Sequence, residues 1–352
     1  MVQPIDYSTG VSLEYDNLAI ANYKSWPLAS QNSSSESSGK LDVHPCSAWV
    51  TEAAGWSMET LSFFKKIKVE TDISALHSRL TAALLDQGIK WTMALFPQCC
   101  DRLAFEYAVI VNIVVALCES RGSNITLQQV KSRAVKVLGV DVDYALDYVL
   151  KPLTTKQREN FKSEFYWALY LILGKQAEQP TAYYLAWCKE LGSSYENYIR
   201  LRNIDGQFGL AVVFYGCLLE RKSLTIDMKR LSAAVEANIL IHDCTARNKH
   251  VAEKEICNVL NFAVEGHNAF SAFLVRAGNI YNTLHSMPIT KHWEWMYAGS
   301  IQAMYMLNAN NPRYTFIEDL CRSIGPRGAV PPPVERSTWY EPSEAMVKDK
   351  LI

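Results

Sequence analysis

The chain has 352 residues, and its 35 Lys and Arg against 36 Asp and Glu give a formal net charge of −1 at pH 7. This balance, without a long basic run, argues against nucleic acid or an anionic membrane surface as a partner. The nine cysteines are scattered and form no CxxC pair. They therefore exclude the usual zinc motifs and a small disulfide scaffold, and predict reduced thiols in an intracellular compartment.

No membrane-spanning or secretory segment is predicted. The longest apolar run, residues 108–118, is shorter than the roughly 20 residues that span a bilayer. The N-terminus lacks the basic segment followed by an apolar one that is typical of a secretory signal. We expect a soluble intracellular protein, with a plastid location open if an upstream transit peptide was removed. The oligomeric state is also open.

The two ends of the chain differ in composition from the middle. Residues 1–40 have little apolar periodicity and contain the serine-rich stretch 30–39, so they predict a flexible arm. Residues 325–352 begin with a segment rich in Gly and Pro, which predicts an extended tail. One folded domain is expected between them, over residues 41–324.

That middle part has the periodicity of helices and few Gly or Pro. The segments are 72–87, 101–121, 126–137, 141–150, 155–173, 180–191, 195–221, 226–256, 258–285 and 292–308. Several of them, such as 208–219, are apolar nearly all round, which is typical of helices in the interior of a large bundle. The prediction is an all-α fold, a single bundle of about ten or more helices that encloses a pocket.

The first chemical motif lies in the middle of the chain, at Arg202, Asp205 and Gly206. A glycine inside a helix costs about 1 kcal/mol, which predicts a break in the helix or a close approach of backbone. Arg202, one turn earlier, can present a forked cation to phosphate oxygens, and Asp205 is placed to orient it. The other interpretation is a surface Arg–Asp pair beside a tolerated glycine.

The second motif puts His242, Ala246 and His250 near one face of a helix, with Asp243 and Lys249 beside them. Magnesium prefers oxygen ligands, whereas imidazole suits transition metals. Three roles stay open for the histidines: metal ligands, contacts to substrate, or satisfied polar residues of the bundle.

A third and a fourth motif complete the set. Asn112 and Glu119 lie two turns apart on one face of the apolar helix 101–121, and a buried Asn needs a partner because an unpaired amide costs roughly 1–3 kcal/mol. Near the C-terminus the aromatic segment 292–297 precedes Arg313 and Tyr314. Aromatic faces can stabilise cations, although most buried aromatics belong simply to a core.

In this order the motifs resemble those of class I terpene synthases, over roughly residues 85–320. The resemblance implies that Arg202 detects a diphosphate, that Asp205 links it to a carbonyl at the Gly206 break, and that this carbonyl helps to trigger ionisation. The chain departs from the family at both metal motifs. Cys118 and Glu119 stand at the start of the aspartate-rich motif, and His242, Ala246 and His250 replace the three ligands of the second.

The resemblance also implies roles for the remaining residues. The diphosphate would be held by the following set: Tyr198, Arg202, Arg247, Lys249, Arg313 and Tyr314. Mg²⁺ would be bound by Glu119 and Asn112, with Asp243 and His242 behind them. The catalytic group would consist of Arg202, Asp205, Gly206 and His250. In this group His250 could bind a carboxylate of the acceptor or act as a general base.

The altered metal motifs also resemble those of the algal N-prenyltransferases of kainoid and domoic acid biosynthesis. That likeness implies transfer of a prenyl group from geranyl diphosphate to the amine of L-glutamate, with release of diphosphate. Two alternatives stay open, namely a hydrocarbon-forming terpene cyclase with unusual metal ligands and a non-catalytic prenyl-binding protein.

Overall fold

The computed structural model describes residues 44–45, 91–119, 125–137, 140–177, 181–252, 255–262 and 269–310. Several sequence predictions lie outside these ranges: the arm, the C-terminal tail, the helix 72–87 and the pair Arg313 and Tyr314.

Eleven α-helices lie in the described ranges, and they confirm the prediction of an all-α fold. They are α1 Arg102–Glu119, α2 Leu127–Lys131, α3 Val142–Val149, α4 Thr155–Gln176, α5 Ala182–Leu191, α6 Tyr195–Gly206, α7 Phe208–Leu219, α8 Met228–Thr245, α9 Arg247–Ala252, α10 Ala269–Ser286 and α11 Met296–Asn310. Two 3₁₀ helices cover Val259–Asn261 and His292–Trp295.

The described strands are only two residues long. The strand β1, His44–Pro45, pairs antiparallel with β2, Gln98–Cys99. The strand β3, Lys136–Val137, pairs antiparallel with β4, Val140–Asp141. This second pair ends the helical pattern predicted over 126–137, which forms only α2 before the chain turns.

Polar side chains fix where several helices begin. Thr154 caps α4 by accepting from the backbone N–H of Gln157, whose side chain accepts in return from the Thr154 N–H. Asp227 caps α8 in the same sense, since one carboxylate oxygen accepts from the N–H groups of Lys229 and Arg230. These caps satisfy N–H groups that the first turn of a helix leaves without partners.

The core is organised around α8, which packs against α6, α7, α10 and α11. The neighbouring helix α7 is buried on nearly all sides. Its apolar sequence therefore predicts its interior position correctly, because a helix without a polar face has no favourable side to turn to water.

The segment predicted as one helix over 195–221 is broken as expected at Gly206. The helix α6 ends at Gly206 and α7 begins at Phe208, with Gln207 between them in the left-handed conformation (φ 55°, ψ 31°). A Cβ atom at Gly206 would overlap the Phe208 ring. Close approach of this ring is thus the physical reason for a glycine here.

Within the described ranges, no helix has both the length and the apolar character needed to cross a membrane.

Candidate active site

One cavity of about 130 Å³ lies among the central helices and collects most of the residues that the sequence motifs single out. Its lining combines apolar and charged residues. The apolar residues of the lining are Trp91, Leu95, Phe96, Val111, Val115, Phe208, Leu210, Ala211, Phe214, Met304 and Leu307. The polar and charged residues are Asn112, Glu119, Lys175, Arg202, Asp205, Gln207, His242, Lys249, His250 and Glu255, and Gly206 also lines the cavity.

Arg202 is central among the charged residues that line the cavity, and it is only 5% exposed. Its Nε and Nη2 donate to one oxygen of Asp243 at 3.1 and 3.0 Å, and its Nη1 forms an ion pair with Asp205. Burial disfavours the charged guanidinium, but the two carboxylates outweigh it and raise the pKa of Arg202 well above its usual value. The ion pairs use three of its five N–H groups, so the other two can bind a ligand oxygen.

Lys175 brings a second buried cation to the same wall from the end of α4. Its Nζ lies 2.9 Å from Asp205 Oδ1 and 3.4 Å from both carboxylate oxygens of Glu255, and it is 3% exposed. A buried ammonium is tolerated only when it is paired and hydrogen-bonded. Asp205 therefore joins Arg202 and Lys175 into one network, which extends the predicted role of this carboxylate in orienting Arg202.

Asp243 lies behind Arg202, fully buried. One of its oxygens accepts from Arg202, and the other accepts from the Tyr198 hydroxyl and from the Val259 N–H at 3.0 Å. Burial raises the pKa of Asp243, although Arg202 and these hydrogen bonds oppose the rise. Each oxygen thus has two donors, which uses the lone pairs that a metal would need.

The two histidines of the second motif lie side by side, with ring centroids 5.4 Å apart. Burial, followed by the positive charges of Arg202 and Lys249, lowers the pKa of His242 well below its usual value. Burial and the same two cations also lower the pKa of His250. Both lowered pKa values favour the neutral imidazoles at neutral pH.

Glu119 and Asn112 lie on the cavity as the sequence predicts, on the face of α1 that also presents Val111 and Val115. The amide nitrogen of Asn112 donates to the Thr92 hydroxyl at 2.8 Å, which leaves its carbonyl oxygen for a ligand. A carboxylate and an amide oxygen two turns apart suit one Mg²⁺ that also binds substrate phosphate.

A second arrangement of metal-ligand atoms involves His242, Asp243 and His250, whose candidate atoms lie within 4.8 Å of one another. This set does not fit magnesium, because it is mostly nitrogen and its one carboxylate is saturated by Arg202, Tyr198 and Val259. Within the described residues, the place that fits Mg²⁺ better is Glu119 with Asn112.

Buried cations and apolar side chains thus line the same cavity. A family model described as alpha-ionylideneethane synthase aba3 matches residues 59–324, about three quarters of the chain. The protein belongs to the Aba3 family. This family is terpene-synthase-like, in agreement with the helical fold. No curated protein matches the chain at a significant level.

Four predicted residues of this Aba3 family member are placed away from the cavity or outside the described ranges. Tyr198 is fully buried behind Asp243 and positions that carboxylate. Arg247 is half-buried at the start of α9, near the Cys244 thiol, and is not among the described residues that line the cavity. Arg313 and Tyr314 lie in the part of the chain that the structure does not describe.

The aromatic segment 292–297 also differs from its expected role. Trp293, Trp295 and Tyr297 are buried, and Tyr297 accepts from the Asp227 N–H at 2.8 Å. These rings pack in the core near α7 and α11 and are not among the described lining residues. In this Aba3 family member, other rings line the cavity, including Phe208 and Phe214.

The structure adds four residues that sequence analysis does not identify: Lys175, Gln207, Glu255 and Asn258. Gln207 stands at the helix break, 8% exposed, and its amide nitrogen has no hydrogen-bond partner among the described residues. A strained, unpaired polar group on a cavity wall is a feature of binding sites. The positive φ of Gln207 leaves no sequence signal apart from the neighbouring glycine.

Proposed function

We propose that this protein converts an allylic prenyl diphosphate into a hydrocarbon and diphosphate, as a terpene synthase does. The observation that carries the proposal is the cavity itself. Lys175, Arg202 and Lys249, each at most 5% exposed, line it together with aliphatic and aromatic side chains. Such a site binds an anionic leaving group while it keeps water from an apolar chain.

The proposed reaction needs no second substrate. The bond between C1 of the prenyl chain and the diphosphate oxygen breaks, and both electrons stay on the oxygen. The allylic cation then loses one proton, so the products are the hydrocarbon and protonated diphosphate. Arg202 and Lys249 would stabilise the negative charge that develops on the diphosphate. The faces of Phe208 and Phe214 would stabilise the cation.

Glu119 and Asn112 would hold Mg²⁺, whose charge would offset part of the negative charge of the diphosphate. The protein's own cations supply the rest. Because the other cavity carboxylates, Asp205 and Glu255, are paired with Lys175, the described residues support one magnesium ion rather than a cluster.

The family match and the geometry together favour a hydrocarbon product over transfer to an amine. The matched family is described as a synthase of α-ionylideneethane, which is a hydrocarbon by its name. An acceptor such as L-glutamate would need basic groups for its carboxylates, and Arg247 is not among the described residues that line the cavity. His250, the other candidate, is neutral. N-prenylation of L-glutamate stays a prediction that the same assay tests.

The size of the cavity bears on the substrate. At about 130 Å³ it is close to the roughly 150 Å³ that holds benzene in an engineered apolar cavity. A chain of ten carbons or more therefore requires lining side chains to move apart on binding. We propose that the substrate itself opens this space.

The test is to incubate the protein with geranyl or farnesyl diphosphate, with Mg²⁺ or with EDTA, and with or without L-glutamate. We expect diphosphate release and a volatile hydrocarbon in the presence of Mg²⁺, the same product with L-glutamate present, and at least a tenfold slower reaction in EDTA. Mass spectrometry identifies the products.

An adduct that contains glutamate would replace the proposal with N-prenylation. Absence of diphosphate release from either donor would favour a non-catalytic prenyl-binding protein. Equal rates in EDTA and in Mg²⁺ would remove the metal from the mechanism.

A further inference from the structure

The hydrogen bonds of Asn258 determine where His250 carries its proton. The Oδ1 atom of Asn258 accepts from the Leu260 N–H at 3.0 Å, and its Nδ2 lies 2.6 Å from the backbone oxygen of Asp243. A backbone N–H can only donate and a backbone oxygen can only accept, so the amide of Asn258 has one orientation. Its NH₂ group has a second hydrogen, and this hydrogen points to His250.

The distance from Asn258 Nδ2 to His250 Nδ1 is 2.9 Å. Because the amide nitrogen is a donor, Nδ1 of the ring must be the acceptor. The proton of the neutral imidazole then resides on Nε2. His250 also lines the cavity, at 2% exposed, so Nε2–H is the polar group that it can offer to a ligand.

We propose that Asn258 holds His250 in the Nε2–H tautomer, so that His250 donates a hydrogen bond to the diphosphate and does not act as a base or a metal ligand. This inference rests on the proposed function. As the C1–O bond breaks and the electron pair stays on oxygen, the donated hydrogen bond becomes stronger. No proton is transferred, and the ring keeps the same proton before and after the step.

The surroundings of His250 suit this role. Lys249 precedes it in α9, the positive charges of Lys249 and Arg202 act on its ring, and Glu255 acts in the opposite sense. A ligand atom of Asp243 also lies within 4.8 Å of one of His250, but the Asp243 carboxylate already accepts from Arg202, Tyr198 and Val259. A hydrogen-bond donor beside these cations can bind the same anion that they attract. Asn258 is a positioning residue here, since it acts through the imidazole.

The first experiment measures the tautomer in the complete, unliganded chain. In nitrogen-15 NMR of labelled histidine at pH 7.5, the His250 ring should have an unprotonated Nδ1 and a protonated Nε2. The signal is assigned to His250 by its disappearance in His250→Gln. In Asn258→Asp the carboxylate would accept a hydrogen bond from a protonated Nδ1, so the signal should change to the other tautomer or to the cation. A protonated Nδ1 in the wild-type ring would overturn the inference.

The second experiment measures binding of inorganic pyrophosphate by calorimetry. We expect Kd to rise at least tenfold in His250→Leu and in Asn258→Asp, and less than threefold in His250→Gln, which keeps an N–H donor. Asn261→Asp is the matched control, because it adds the same charge three residues away, where the Asn261 side chain donates to the backbone oxygens of Glu255 and Ile256. It should weaken binding less than Asn258→Asp.

The outcomes separate this inference from the proposed function. Wild-type affinity for pyrophosphate in a folded His250→Leu protein would overturn the donor role, whatever the prenyl assay shows. Conversely, a protein that binds pyrophosphate through His250 but consumes no prenyl diphosphate would keep the donor role and overturn the proposed reaction. Circular dichroism of each variant verifies its fold.

Discussion

Arg202 illustrates how a single residue serves both the fold and the site. It is buried, and it pairs with Asp243 and Asp205, which are also buried. Removing one partner of such a pair typically costs 3–5 kcal/mol, because the remaining charge is left uncompensated. An Arg202→Ala variant would therefore lose stability as well as function, and it cannot by itself identify a catalytic role.

Lys249 offers a further test of diphosphate binding, since its side chain lines the cavity and is only 5% exposed. We expect Lys249→Met to lower turnover of a prenyl diphosphate about 100-fold or more, because a cation that stabilises the leaving group is lost while the apolar stem is kept. Steady-state kinetics of diphosphate release measures the change.

The matched control for this variant is Lys222→Met, since Lys222 is exposed after the end of α7. It should leave turnover unchanged. If Lys249→Met kept at least a third of the wild-type rate, Lys249 would have no part in the diphosphate site.

At the scale of elements, the decisive feature is the break between α6 and α7. The break allows Gln207 to take a left-handed conformation and brings the Phe208 ring against the backbone of Gly206. Arg202 also lies near the Phe208 ring, 5.7 Å from its centre. The absence of a side chain at Gly206 therefore allows the Phe208 ring to lie close to Arg202.

We expect Gly206→Ala to reduce the free energy of unfolding by about 1–3 kcal/mol, because the Phe208 ring must shift to admit a Cβ atom. The control is Gly278→Ala in α10, where a Cβ would meet nothing within 4 Å. This second change should stabilise the protein by about 0.5–1 kcal/mol through the higher helix propensity of alanine.

Urea unfolding measures both glycine variants. Equal stability changes of the two proteins would show that the close approach at Gly206 is not a constraint on the fold.

At the scale of the whole molecule, the buried charges make stability depend on pH. The pKa values of His242 and His250 are lowered in the folded state, so the unfolded chain binds protons more readily than the folded protein does. The stability that these rings contribute is therefore complete above the unfolded pKa of about 6.5 and is lost as pH falls below it. The raised pKa of Asp243 has the opposite effect on stability. At more acidic pH the folded protein binds this proton more readily than the unfolded chain does, so this contribution to stability grows as pH falls.

Between pH 7.5 and 5.5 we expect a loss of about 1 kcal/mol in the free energy of unfolding for each of the two histidines. The measurement is urea unfolding at both pH values, in the wild type and in a His242→Gln and His250→Gln double variant. The double variant should lose less stability over this interval. The same loss in both proteins would mean that neither histidine is held neutral by the fold.

The sequence by itself determined the features that depend on local spacing. The helical class follows from periodicity, the interior position of α7 from its apolar composition, and the break from Gly206 within a helical pattern. The pair of Arg202 and Asp205 follows from their i, i+3 spacing on one helix.

Only the tertiary structure decided which distant groups meet at the cavity. Lys175 contacts Asp205 and Glu255 across 30 and 80 residues, and Asn258 meets His250 only because the chain folds back after α9. In sequence, Lys175 follows an apolar run at the end of α4, where a lysine is ordinarily read as a helix-end cation in water. Packing buries this lysine against two carboxylates, and no local pattern specifies how helices far apart in the chain will pack.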